Sequence, residues 1–179
     1  MFGIISVIIM NNMNYLEPKF YKIEENKVEY HHLVNILKDV ISAYLQLINL
    51  TPEDCRGSVL FDKWSLKDVL AHFCGWNELT IRDIERTLNG QELVWIDGDE
   101  IDEFNANSVL IRQNDEWESV YREFKTNLDI LLYTYEKLTP EEQELMMFDI
   151  SLRESVVIDI NHYIYHFKEL RSLLDTIEN

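Results

Sequence analysis

Apolar positions along the chain fall into four long runs with the 3.6-residue period of a helix. From about Lys27 to Leu50, apolar side chains recur at Tyr30, Leu33, Val34, Leu37, Ile41, Tyr44, Leu45 and Ile48, which predicts a first helix. Leu50-Thr51-Pro52-Glu53 ends it, because proline cannot continue a helix and threonine before proline suits the cap of a short new turn. A second helix is predicted from Ser65-Leu66-Lys67-Asp68, a capping-box pattern, to Asn89-Gly90, a C-terminal stop. Leu66, Val69, Leu70, Phe73, Asn77, Ile81, Ile84 and Leu88 line its inner face, with Trp64 and Trp76 read as core or staple residues. The third begins near Asn114 and runs through Val120, Phe124, Leu128, Leu131 and Tyr135 to Leu138, with acids in its first turn suiting the helix dipole. The fourth runs from Leu152 to near Ile177 with Val156, Ile160, Tyr163, Ile164, Phe167 and Leu174 inward.

Two features organise these helices. Leu-Thr-Pro-Glu recurs at Leu138–Glu141, and Phe61-Asp62 before the Ser65 box is matched by Phe148-Asp149 before Ser151-Leu152-Arg153-Glu154. The chain therefore reads as two related helical hairpins in one bundle. Between the second and third helices lies a long acidic connection, from Gly90 to Asn114, long enough to run the length of a bundle and leave those helices parallel. The fold expected is all-α: a four-helix bundle, up-down-down-up, with a long crossover between helices two and three. The acids of the crossover do not match the glycine and bidentate glutamate positions of an EF-hand loop.

Composition narrows the function. The 179 residues are 46% hydrophobic, with four Trp, nine Tyr and eight Phe and only five Gly, which fits one domain with a substantial core and argues against a turn-rich β protein. Residues 1–22 are read as an N-terminal extension and 23–179 as the domain. The apolar run at Met1–Met10 lacks a basic start and a cleavage motif and is too short to span a bilayer. A net charge of −17 repels phosphate, so nucleic acid and anionic membranes are poor partners and a small molecule is a better one. Two cysteines without a CxxC motif, Cys55 and Cys74, point to a reducing, cytoplasmic compartment, with Cys74 a small buried hydrophobe.

The chemistry concentrates in helix four, where His162 and His166 stand four apart and so share one face. They lie roughly 120° from the centre of the apolar stripe, and His72 is offset similarly on helix two. If those helices are neighbours, three imidazoles converge, leaving open positions on Zn²⁺, Ni²⁺, Fe²⁺ or Mn²⁺. Asp159 and Glu169, each three residues from one of the helix-four histidines, are candidate outer carboxylates. The adjacent His31 and His32 point about 100° apart and cannot chelate together.

The stretch Trp64-Ser65-Leu66-Lys67-Asp68-Val69-Leu70-Ala71-His72-Phe73-Cys74-Gly75-Trp76 resembles the helix-two signature of the DinB-like four-helix bundles, and His162 to Arg171 resembles their final HxxxH segment. Glu103-Phe104-Asn105, Trp117, Glu123-Phe124 and Leu138–Glu141 are similar to the DfsB-type branch. The resemblance covers roughly residues 28 to 177. It implies a divalent metal on His72, His162 and His166. It also implies a low-molecular-weight thiol as co-substrate and a homodimer as a common assembly. The activity expected is that of a metal-dependent transferase or hydrolase acting on a small electrophile or toxin. No Ser, Cys or carboxylate nucleophile arrangement stands out, so the alternative is a bundle that binds or sequesters a small molecule without turnover. A third reading leaves the histidines as core residues.

Overall fold

The computed structural model describes residues 28–177 apart from 62, 95 and 97, so the N-terminal extension and the run at Met1–Met10 lie outside the described residues. Four long helices form the bundle: α1 (Tyr30–Leu50), α2 (Leu66–Leu88), α4 (Trp117–Lys137) and α6 (Leu152–Ile177). Two shorter ones, α3 (Gly98–Leu110) and α5 (Pro140–Gln143), sit in the connections. Packing pairs α1 with α6 and α2 with α4, while α3 lies against α2. The shared core is built from the inward stripes, with Leu33, Leu37, Tyr44, Phe73, Phe124, Tyr135, Ile160 and Tyr163 fully or almost fully buried. Helix α1 is long and apolar enough to cross a membrane by length and composition, yet its face from Leu33 to Ile48 is part of this core.

The capping boxes form as the sequence pattern requires. The Ser65 amide donates to Asp68 Oδ2 at 2.9 Å and the Asp68 amide to Ser65 Oγ at 3.2 Å. At the second site the Glu154 amide donates to Ser151 Oγ at 3.1 Å, with the Ser151 amide returning a bond to Glu154. Each box is preceded by a small antiparallel hairpin: β1 (Val59–Phe61) with β2 (Trp64–Ser65), and β3 (Met146–Met147) with β4 (Ile150–Ser151). The repeat seen in the sequence is thus a repeat of hairpin, serine cap and long helix. The two Thr-Pro turns differ. Thr139 caps α5 with its own Thr139/Glu142 box and Pro140 in the first turn. Thr51 instead closes α1, its hydroxyl donating to the Leu47 carbonyl at 3.1 Å, and only a 3₁₀ turn, Glu53–Cys55, follows.

The crossover departs from a plain connection, since it contains α3. Ile101, Phe104 and Ser108 recur at helical spacing, and the acids Glu100, Asp102 and Glu103 favour the N-terminal half of a helix. The helix seats closely on α2: a Cβ added to Gly75 would lie 2.1 Å from Ser108 Oγ and 2.7 Å from Ser108 Cβ. The buried Arg112 ties the end of the crossover down, with Nη2 donating to Glu78 at 2.7 Å and to Glu123 at 2.6 Å. Glu78 also accepts from Asn127 at 3.0 Å, so one network joins α2, the crossover and α4.

Candidate metal centre

Helices α2 and α6 face one another through side chains. The Phe73 ring stacks on Tyr163 with centroids 4.3 Å apart and planes 4° from parallel, and the Tyr163 hydroxyl donates to Asn77 Oδ1 at 3.0 Å. This buried register sets the rotation of both helices, and the residue before Phe73 then meets the residue before Tyr163. His72 Nε2 and His162 Nε2 lie 2.9 Å apart. His166, one turn on, brings its ring centroid within 5.2 Å of His72 and 5.1 Å of His162. One nitrogen from each of the three imidazoles falls within 4.8 Å of the others. Four-coordinate ligand nitrogens around Zn²⁺ at about 2.0–2.1 Å stand about 3.3 Å from each other, so the cluster has the dimensions and the donor type of such a centre.

The electrostatics favour free lone pairs. Burial holds the imidazoles well below their ordinary 6.5: His72 falls to about 2, with the neighbouring His162 and His166 adding to the desolvation, His162 to about 3 and His166 to about 4. All three rings are therefore neutral near pH 7, the form that ligates a cation. Glu169 Oε2 lies 2.8 Å from His166 Nδ1, which leaves His166 Nε2 for a ligand bond and gives the carboxylate–histidine pairing common behind bound metals. Tyr165 hydrogen-bonds the same carboxylate. His72 Nδ1 is buried and has no hydrogen-bond partner of good geometry among the described residues. Asn105 comes close to that ring, but its Oδ1 accepts the Trp76 indole N–H at 2.8 Å.

Of the two expected outer carboxylates, Glu169 reaches its histidine and Asp159 does not. Asp159 turns instead to Tyr135, whose hydroxyl donates to Oδ2 at 2.7 Å; the α4 partner, out of view in a single-helix reading, captures it. Trp64 packs against the core as expected, but Trp64 and Trp76 both also line a cavity. Both are half-buried, with ring centroids 5.1 and 6.3 Å from His72, in the wall of that cavity. His31 and His32 are exposed on α1, and Cys74 is buried with its thiol pushed up to about 12 by desolvation.

The cavity, of about 770 Å³, opens over the triad and has the size of small-molecule sites. Its walls come from α2, α3, α6 and both hairpins, which contribute Phe61 and Phe148 from equivalent positions of the repeat. Phe148 holds a left-handed backbone with φ of 61°, a conformation that favours glycine, and so presents an aromatic ring at a strained turn. Sequence reasoning missed this ring because nothing in a two-residue turn between short strands marks which side faces a cavity.

No protein-family model matches the chain, and no curated protein is similar to it in sequence. Solved structures do share its architecture. An uncharacterised protein from Escherichia coli UTI89 superposes with a TM-score of 0.76 at 12% identity, over 83% of this chain and 94% of that one. The colibactin self-resistance protein ClbS, solved in complex with a dsDNA, gives 0.74 at 13% identity, over 81% and 94%. The chain has the DinB-like helical fold. The mycothiol-dependent maleylpyruvate isomerase gives 0.68 at 11% identity, over 83% of this chain and 63% of that one. At these identities the likeness is one of fold, and chemistry has to be argued from the residues of this chain.

Proposed function

We propose that the protein is a metal-dependent enzyme, a thiol transferase or hydrolase acting on a small electrophile or toxin, with a divalent metal held by His72, His162 and His166. The observation that carries this reading is the convergence of three neutral imidazoles, one of them backed by Glu169, at the floor of an aromatic-walled cavity. A bound Zn²⁺, Ni²⁺, Fe²⁺ or Mn²⁺ would supply Lewis acidity, lowering the pKa of a water or thiol at an open position. The side chains do the rest. Glu169 fixes the His166 tautomer, Trp64 and Trp76 flank the imidazoles with apolar surface, and the hairpin rings of Phe61 and Phe148 exclude water from a bound substrate.

A low-molecular-weight thiol as co-substrate agrees with the mycothiol dependence of one structural neighbour. The charge of −17 favours a small-molecule partner, and the two free cysteines, Cys55 and Cys74, favour a cytoplasmic protein. ClbS was solved with dsDNA, so the fold itself accommodates nucleic acid, and disfavouring nucleic acid here rests on this chain's charge alone.

The second reading, a bundle that sequesters a ligand without turnover, is favoured by the same cavity and by a self-resistance protein among the neighbours. A screen of metal-loaded protein against thiols and small electrophiles separates the two. Consumption of substrate by the wild type and its loss in His72→Ala supports the enzyme; saturable binding with no consumption across the screen supports sequestration.

A further inference from the structure

Asp159 is a buried titratable group on the cavity wall that the triad leaves unused; Asp83, buried on the same wall, is paired with Arg82. On α6 it stands one turn before His162, about 4.5 Å along the axis, and two turns before His166, about 20° from it around the helix. All three side chains and His72 line one cavity. The carboxylate is 9% exposed, and its hydrogen-bond partner among the described residues is the Tyr135 hydroxyl at 2.7 Å. Tyr135 Oη also lies 3.1 Å from Ser155 Oγ, whose own proton goes to the Leu152 carbonyl at 2.7 Å, and Tyr30 donates to the Tyr135 carbonyl at 2.9 Å. These neighbours are neutral, so among the described residues the carboxylate has one neutral donor and no cationic partner. Anchoring a tyrosine hydroxyl needs only an amide or a carbonyl, whereas a charge in this setting costs stability and calls for a function.

We infer that Asp159 is the proton acceptor of the site, taking the proton of a water or thiol nucleophile held at the triad as it attacks an electrophilic carbon. The inference rests on the metal-dependent reading above. As the O–H or S–H bond breaks, its electron pair forms the new bond to carbon and the proton passes to the Asp159 carboxylate. The electron pair of the substrate bond that breaks departs with the leaving group, which regains the proton from Asp159; nothing is oxidised or reduced. Burial raises the carboxyl to about 7, opposed in part by the Tyr135 hydrogen bond, which suits proton exchange near neutrality.

The test is an infrared pH titration of the protonated-carboxyl stretch in the full chain, metal-free and with one equivalent of zinc, with Asp159→Asn identifying the band. A dication bound in the cavity that Asp159 also lines favours the carboxylate, so zinc lowers the midpoint by about one pH unit or more. Asp159→Asn, which keeps an acceptor for Tyr135, retains stoichiometric zinc and lacks the band. Stoichiometric zinc with an unmoved midpoint overturns this inference alone, as does loss of zinc from Asp159→Asn. Failure of the wild type to bind zinc and, in turn, Ni²⁺, Fe²⁺ and Mn²⁺ overturns the metal reading and this inference together.

Discussion

Glu169 Oε2 sits 2.8 Å from His166 Nδ1, one turn along α6, and this contact sets which imidazole nitrogen faces His72 and His162. Removing the negative charge while keeping the shape weakens both the orientation and the basicity of the ligand ring. Glu169→Gln is expected to lower metal affinity by about 10- to 100-fold with the fold intact. Competition with a chromophoric chelator measures it; unchanged affinity would leave Glu169 a wall residue only.

Gly75 is expected to tolerate no side chain. A Cβ at this position meets both side-chain atoms of Ser108, and the backbone of α3 must retreat to admit it. Gly75→Ala should cost about 2 kcal/mol in chemical denaturation, and Ser108→Gly in the same chain should recover part of it, since the two positions are in contact.

Stability of the metal-free protein should fall on acidification. The three histidines have folded pKa values depressed from 6.5 to about 4, 3 and 2. Their contribution is complete above about pH 6.5 and is lost as pH falls through those values, because the unfolded chain takes up protons that the folded chain refuses. Asp159 works the other way: raised from 3.8 to about 7, it contributes fully below its unfolded value and loses that contribution as pH rises through 7. Three imidazoles outweigh one carboxyl, so urea midpoints of metal-free protein should drop between pH 6.5 and 4. Asp159→Asn should make the drop steeper, and a flat profile would show that the imidazoles are not buried as described.

The long helices were legible because burial on one face imposes a 3.6-residue period, and the two serine caps because each needs an acid three residues on. His162 and His166 were legible for the same reason, and His72 by its matching offset. Three things were not. Helix α3 is mostly exposed and acidic, and its few inward residues, Phe104 and Ser108 among them, give too narrow a stripe to stand out from a connection. Trp64 and Trp76 look alike whether they fill a core or line a cavity, because periodicity reports burial and not what lies beyond the ring. Asp159 lies at a proper spacing from His162, but Tyr135, 24 residues earlier on another helix, decides where it points.

Metal content is the most direct test of the central claim. Purified full-length protein, loaded in turn with Zn²⁺, Ni²⁺, Fe²⁺ and Mn²⁺ and freed of excess, should carry about one equivalent of at least one of them by elemental analysis. His72→Ala and His166→Ala should each lose it. Equal stoichiometric metal in the wild type and both variants, or none in the wild type after loading, would contradict a centre at His72, His162 and His166.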